Sequence, residues 1–216
     1  MESAPSAGSW MRHSSRVGHR DSLRTSELAG KRMLLLGFGR IAQEVARRGR
    51  AFGMELSAFD PFVSAEGMES HGVRWMQDWR DHLGTIDVLS IHVPLSSATR
   101  NIVDAATLAA LKPTAIVLNT ARGGLLDEAA RHRELSTRMT AGAAGLDTFA
   151  VEPPQPDNPL LKLPNVVVSP HSASLTGEAA RRMGVLAARN VLAGLDGTLD
   201  PELVFNPSIL TRAHAS

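Results

Sequence analysis

The chain has no cysteine, which excludes disulfides, thiolate metal sites and thiol nucleophiles. No apolar run approaches the ~20 residues that cross a bilayer, so a membrane-spanning helix is not expected. Charge of one sign is missing as well. Twenty-three Lys and Arg against 22 Asp and Glu leave a formal net charge of +1, with no basic field to gather nucleic acid. The eight histidines are scattered, without carboxylate or cysteine partners at ligand spacing, so no metal is expected. What remains in 216 residues, 43% hydrophobic and 21% charged, suffices for one full-sized α/β domain with a packed core, or one domain plus appendages. The composition suits a reducing cytoplasm, the compartment assigned at this point. It also suits an enzyme that takes its chemistry from a cofactor.

Residues 1–28 read differently from the rest. They hold seven serines and four arginines, Arg12, Arg16, Arg20 and Arg24, with no sustained apolar pattern. Serine- and arginine-rich leaders occur as organelle transit peptides. Glu2, Asp21 and Glu27 argue against that and for an irregular end draped on the surface.

From Lys31 the text becomes regular. Met33-Leu34-Leu35-Leu36 has the length of a buried strand and stops at Gly37. A helical pattern follows, with Ile41, Val45, Ala46, Gly49 and Phe52 on one face. The alternating run 54–59 then ends at Asp60-Pro61, which completes a strand–helix–strand unit within about thirty residues. Further strands are expected at 87–93, 115–119, 141–146 and 166–169, and helices at 105–111, 126–135 and 175–195. Repeated βα units with apolar strands call for a parallel sheet covered on both faces, the doubly wound α/β class.

Gly37-Phe38-Gly39-Arg40-Ile41-Ala42 sits at the first strand-to-helix junction and fits G-x-G-x-x-G/A. Gly37 permits the tight turn, Gly39 lets backbone approach a pyrophosphate, and a small Ala42 lets helix pack on strand. Asp60 closes the next strand 21 residues after Gly39, where a carboxylate accepts from both ribose hydroxyls and repels a 2′-phosphate. These features predict a Rossmann domain that takes NAD.

Three ionisable residues stand at strand or loop ends, where an open parallel sheet places its ligand crevice. Arg122 follows strand 115–119, Glu152 lies past strand 141–146, and His171 follows strand 166–169. A guanidinium offers a carboxylate a bidentate fork. A histidine can pass a proton near neutral pH, and a nearby carboxylate would orient it. Singly, each also reads as an ordinary surface or loop residue.

Six stretches, in order, resemble the nucleotide-binding domain of the D-isomer-specific 2-hydroxyacid dehydrogenases: LLLGFGRIAQEVARR, FDPF, DVLSIHVPLSSATRNIV, LKPTAIVLNTARGGLLDE, GLDTFAVEPP and NPLLKLPNVVVSPHSASLT. The resemblance implies that Arg122 holds the carboxylate and keto oxygen of a small 2-hydroxy/2-keto acid, that His171 passes the proton, and that Glu152 supports His171. It further implies Arg40 and Ile41 at the pyrophosphate, Asp60 at the ribose, Pro94 and Thr99 around the adenosine half, and Thr120, Asp147 and Ser174 near the nicotinamide. It divides the chain into a leader (1–28), an NAD-binding domain (29–175) and a C-terminal helix and tail (176–216) that returns to a substrate domain. Most of that substrate domain is expected to be missing. A homodimer through the nucleotide domain is implied, and no nucleic-acid or membrane partner. Two function classes follow: an NAD-dependent oxidoreductase acting at C2 of a D-2-hydroxy acid (phosphoglycerate, glycerate/hydroxypyruvate or glycolate/glyoxylate), or a truncated NAD(H)-binding module without catalysis of its own. Charged residues in 129–135, where an apolar stripe belongs, depart from the family pattern.

Overall fold

The computed structural model describes residues 26–137 and 142–204. The leader assigned to residues 1–28 therefore falls almost wholly outside it. Seven strands form one parallel sheet: β1 (Arg32–Leu36), β2 (Glu55–Phe59), β3 (Arg74–Trp75), β4 (Val88–Ile91), β5 (Ile116–Asn119), β6 (Ala143–Leu146) and β7 (Val166–Val168). Their order is β3-β2-β1-β4-β5-β6-β7, with Leu36 level with Phe59 on one side and Ile91 on the other. The chain thus winds outward from β1, returns, and winds outward again from β4. This doubly wound order leaves a crevice between the carboxyl ends of β1 and β4.

The helices α1 (Arg40–Ala51), α2 (Ala65–Glu69), α3 (Ala105–Ala110), α4 (Glu128–Thr137) and α5 (Gly177–Leu195) follow. Leu34, Leu36, Leu89, Ile91 and Val117 are fully buried in one core, with Trp79, Leu108, Leu125 and Leu126. The opposite face, with Leu35 and Ala58, packs Phe38, Ala42, Ala46 and Met68. Strand alternation sends successive residues of β1 to these two cores, which is why its sequence is apolar throughout.

Helix α1 corrects the expected apolar face. Its buried residues are Ala42, Ala46 and Gly49, while Ile41 and Phe52 are 71% and 64% exposed. A small-residue stripe lets the helix lie close to the sheet: a β-carbon on Gly49 would meet Leu56 Cδ2 at 3.1 Å. Ile41 stands in the first turn of the helix, exposed. Helix α4 also explains its unexpected charge. Arg131 is 3% exposed and donates to the Ala143 carbonyl at the start of β6, between the buried Ala130 and Leu135. Burial lowers its pKa to about 10, still far above neutrality. Short α2, two-residue β3 and a 3-10 turn at Trp79–Thr85 were not expected from the pattern. α5 spans nineteen residues and buries none of them. Among the described residues no helix is long and apolar enough to cross a membrane.

Candidate active site

The glycine-rich turn is shaped by β4. Gly37 stands at φ +90°, and a β-carbon on it would lie 2.9 Å from the His92 carbonyl carbon. Only glycine satisfies both conditions. Gly39 is different. Its backbone is ordinary (φ −74°) and nothing of the protein lies within 4 Å of where its β-carbon would be. The space a side chain there would fill lies in front of α1, whose first turn has neither a side-chain cap nor an acidic residue. Its free N–H groups and dipole therefore face an open cradle suited to a pyrophosphate. Arg40 and Ile41 stand exposed at its rim.

Asp60 ends β2 and clamps that turn. Its Oδ2 accepts from the Phe38 amide at 2.8 Å and its Oδ1 from the Phe62 amide at 2.8 Å. A carboxylate has about four acceptor sites, so lone pairs remain for hydroxyl donors. Beyond β4, the Thr99 hydroxyl donates to the Pro94 carbonyl at 2.6 Å and accepts from the Ser96 amide at 2.8 Å. This closes the turn that carries both residues. His92, at the same strand end, shares a 2.9 Å hydrogen bond with Ser90 Oγ, and burial lowers its imidazole pKa to about 4. It is uncharged at neutral pH.

Arg122, Glu152 and His171 converge from three neighbouring strands. After β5, the buried Asn119 accepts from the Ala121 amide at 3.1 Å and donates to the Arg122 carbonyl at 2.8 Å. These two bonds fix the turn through Thr120 and leave the Arg122 side chain exposed. Gly123 then meets the loop after β6 so closely that a β-carbon would fall 1.8 Å from the Phe149 carbonyl carbon. That loop carries Glu152, whose Oε1 accepts from the Phe149 amide at 2.9 Å and whose Oε2 lies 2.8 Å from His171 Nδ1. The His171 hydrogen bond, the Phe149 amide, and the charges of His171 and Arg122 hold the Glu152 carboxyl below its usual range despite some burial. Glu152 is thus ionised beside the imidazole.

His171 sits at φ +52°, in the left-handed region that side chains other than glycine enter at a cost. Asp147 holds it there. The Asp147 side chain, 3% exposed, accepts from Ser169 Oγ and from the amides of Ser172 and Ala173 at 2.9 Å each, while its carbonyl accepts from the His171 amide at 2.9 Å. Burial alone would raise its pKa. The hydrogen bonds from Ser169, Ala173 and Ser172, with His171 nearby, bring it below the ordinary value instead. Ser174 is exposed on the same loop. With Nδ1 committed to Glu152, the free nitrogen of His171 is Nε2.

The sequence pattern points to the three ionisable residues but not to what sets them: Asn119, Ser169, Gly123 and the anchoring task of Asp147. The available signals were a polar residue ending an apolar strand and a Gly-Gly pair after it. Among the described residues no group of three or more His, Asp or Glu side chains is placed to hold a metal.

Comparisons with known proteins identify the family to which this fold belongs. The family model described as D-isomer specific 2-hydroxyacid dehydrogenase, NAD binding domain, matches residues 2–173, a stretch that takes in the leader. The chain is 40% identical over 183 residues to a D-3-phosphoglycerate dehydrogenase of Methanocaldococcus jannaschii, covering 85% of this chain and 34% of that protein. It is 42% identical over 166 residues to a hydroxypyruvate reductase of Thermotoga maritima, covering 76% and 53%. The crystal structure of D-lactate dehydrogenase with NAD+ from Lactobacillus jensenii superposes with a TM-score of 0.74 at 32% identity, covering 83% of this chain and 57% of that one. The chain spans about a third to just over half of the length of the relatives it matches.

Proposed function

The chain belongs to the D-isomer specific 2-hydroxyacid dehydrogenase family, to its NAD-binding domain, and on that premise we propose that it is an NAD-dependent oxidoreductase acting on a small D-2-hydroxy acid and its 2-keto acid. The observation that carries the reading is the pairing of His171 Nδ1 with Glu152 at 2.8 Å beside an exposed Arg122. The hydride exchanged at C2 of the substrate would be supplied or accepted by a bound dinucleotide.

The residues of the chain supply the rest. Gly37, Gly39, Arg40 and Ile41 take the pyrophosphate, Asp60 the adenosine ribose, Pro94 and Thr99 the adenosine half, and Thr120, Asp147 and Ser174 the nicotinamide half. Arg122 grips the substrate carboxylate and polarises its keto oxygen. His171 donates the proton on Nε2 to that oxygen in reduction and takes it back in oxidation, while ionised Glu152 stabilises the imidazolium between those events. Residues 29–175 form the cofactor-binding unit, with 176–216 beyond it. The substrate falls in the phosphoglycerate, glycerate/hydroxypyruvate or glycolate/glyoxylate class. The protein works as a homodimer in the cytoplasm.

One observation favours a second reading, an NAD(H)-binding module without turnover of its own. The side chains of His171 and Glu152 are 46% and 37% exposed, more open to water than proton transfer in a closed cleft wants. The test is loss of NADH absorbance with glyoxylate, hydroxypyruvate, pyruvate and 3-phosphohydroxypyruvate, with His171→Ala as control. Turnover that disappears in the variant supports the enzyme. A folded protein that binds NADH and oxidises it with none of the four supports the module.

A further inference from the structure

Two successive amides of the loop after β6 are each taken by a carboxylate. Phe149 donates to Glu152 Oε1 at 2.9 Å, which folds the loop back on itself. Ala150 donates to Glu128 Oε1 at 2.5 Å, which ties the loop to another element, the first residue of α4. Glu128 takes no part in the proton or hydride steps.

The tether has a fixed root. Asp127 Oδ1 accepts from the Ala130 amide at 2.9 Å and so caps the start of α4, while the Asp127 amide donates to the Val103 carbonyl at 3.0 Å. With capping done by Asp127, the Glu128 side chain reaches out of the helix rather than back along it. Upstream on the same segment, Gly123 presses on the Phe149 carbonyl. The stretch 123–128 therefore grips the loop at two adjacent residues, by backbone contact at Phe149 and by a hydrogen bond at Ala150. Beyond that grip the chain runs in water, with Ala150 exposed and Val151 61% exposed.

We infer that Glu128 is a positioning residue for the proposed reaction: its hydrogen bond to the Ala150 amide fixes the backbone from which Glu152 reaches His171. The inference rests on the oxidoreductase reading above. A carboxylate that accepts from a backbone amide makes a charge-assisted bond, stronger than a neutral one. Without it the exposed stretch is free to turn Glu152 away from Nδ1, while Asp147 still holds the His171 loop through the Ser172 and Ala173 amides.

The experiment compares Glu128→Ala and Glu128→Gln with the parent. Glutamine keeps an oxygen for the Ala150 amide and drops the charge, which separates the hydrogen bond from a favourable charge in the first turn of α4. In Glu128→Ala, kcat for keto-acid-dependent NADH oxidation should fall about tenfold, the scale of one lost charge-assisted hydrogen bond, with KM for NADH within about threefold. Glu128→Gln should stay within about threefold of the parent in both. Added to Glu152→Gln, Glu128→Ala should cost less than about threefold more, because it acts through a carboxylate already removed. A readout that needs no turnover is the titration of the Glu152 carboxyl carbon by NMR. The parent Glu152 pKa is held low by His171, the Phe149 amide and Arg122, and it should rise toward the ordinary carboxylate value in Glu128→Ala but not in Glu128→Gln. A folded parent without turnover would sink the oxidoreductase reading, and the titration alone would then decide the role of Glu128. An unmoved Glu152 titration in Glu128→Ala, alanine and glutamine variants that behave alike, or the full tenfold loss on top of Glu152→Gln overturns the inference.

Discussion

Gly123 and Phe149 touch backbone to backbone: a β-carbon on the glycine would fall 1.8 Å from the Phe149 carbonyl carbon and 2.0 Å from its oxygen. This contact fastens the turn carrying Arg122 to the loop carrying Glu152, so two parts of the site hold their spacing through main chain. Gly123→Ala must push the loops apart. We expect about 3 kcal/mol or more of lost stability, at the upper end of overpacking costs, read from the urea midpoint. Keto-acid-dependent NADH oxidation should fall with it. A variant as stable as the parent would show that the loops separate freely.

Glu152 joins the same loop to His171, accepting from the Phe149 amide through one oxygen and facing His171 Nδ1 with the other. Glu152→Gln keeps the shape and removes the charge. We expect kcat to fall on the order of 100-fold, the usual scale of a lost general acid–base contribution, with KM and NADH affinity within threefold. The sign of the pH effect follows from the lowered Glu152 pKa. The favourable interaction is present above the ordinary carboxylate value and is lost as pH falls through the lower folded-state value. In the Gln variant that acid-side loss should be absent from the activity profile.

How much of this was legible in the sequence depends on the range of the interaction. Local signals worked: Met33-Leu34-Leu35-Leu36 before Gly37 gave β1, and Asp60 at the end of the next strand stands beside the glycine turn. Helix faces were less legible. Ile41 and Phe52 are hydrophobic yet exposed, because close approach to the sheet selects the small Ala42, Ala46 and Gly49 instead. β3 is two residues long and pairs only with β2, too short to show alternation. Residues set by distant partners were invisible. Asp147 reads as a loop carboxylate until the amides of Ser172 and Ala173, 25 and 26 positions away, are seen to converge on it. Arg131 looks like a surface charge until its guanidinium is found against the Ala143 carbonyl.

Neutral His92 makes stability depend on pH. Its folded-state value is about 4 against an ordinary 6.5, with burial as the cause. Between those values the unfolded chain binds the proton and the folded chain does not, so stability falls as pH drops from 6.5 toward 4. By linkage that single group accounts for up to about 3 kcal/mol. His92→Gln has no such proton to take up. Urea unfolding at pH 7 and pH 5 should show a smaller loss in the variant than in the parent. Equal losses would place the acid sensitivity in a group other than His92.

Asp60 has two tasks that substitution can separate. Its oxygens clamp Phe38 and Phe62 amides, and its charge is the one proposed above to meet the adenosine ribose. Asp60→Ala removes both. We expect NADH binding to weaken about tenfold or more, since two hydroxyl acceptors go and the turn loses a hydrogen bond worth roughly 1 kcal/mol. NADPH should lose less, because repulsion of its 2′-phosphate goes too. Asp60→Asn keeps an oxygen for the Phe38 amide and removes the charge, so the turn survives while repulsion is relieved. The ratio of NADH to NADPH affinity, from fluorescence titration, should therefore drop about tenfold in both variants, with total NADH loss greater in the alanine form. A ratio unchanged in both would reduce Asp60 to a clamp on the glycine turn and move the choice of cofactor to other residues at the mouth of the crevice.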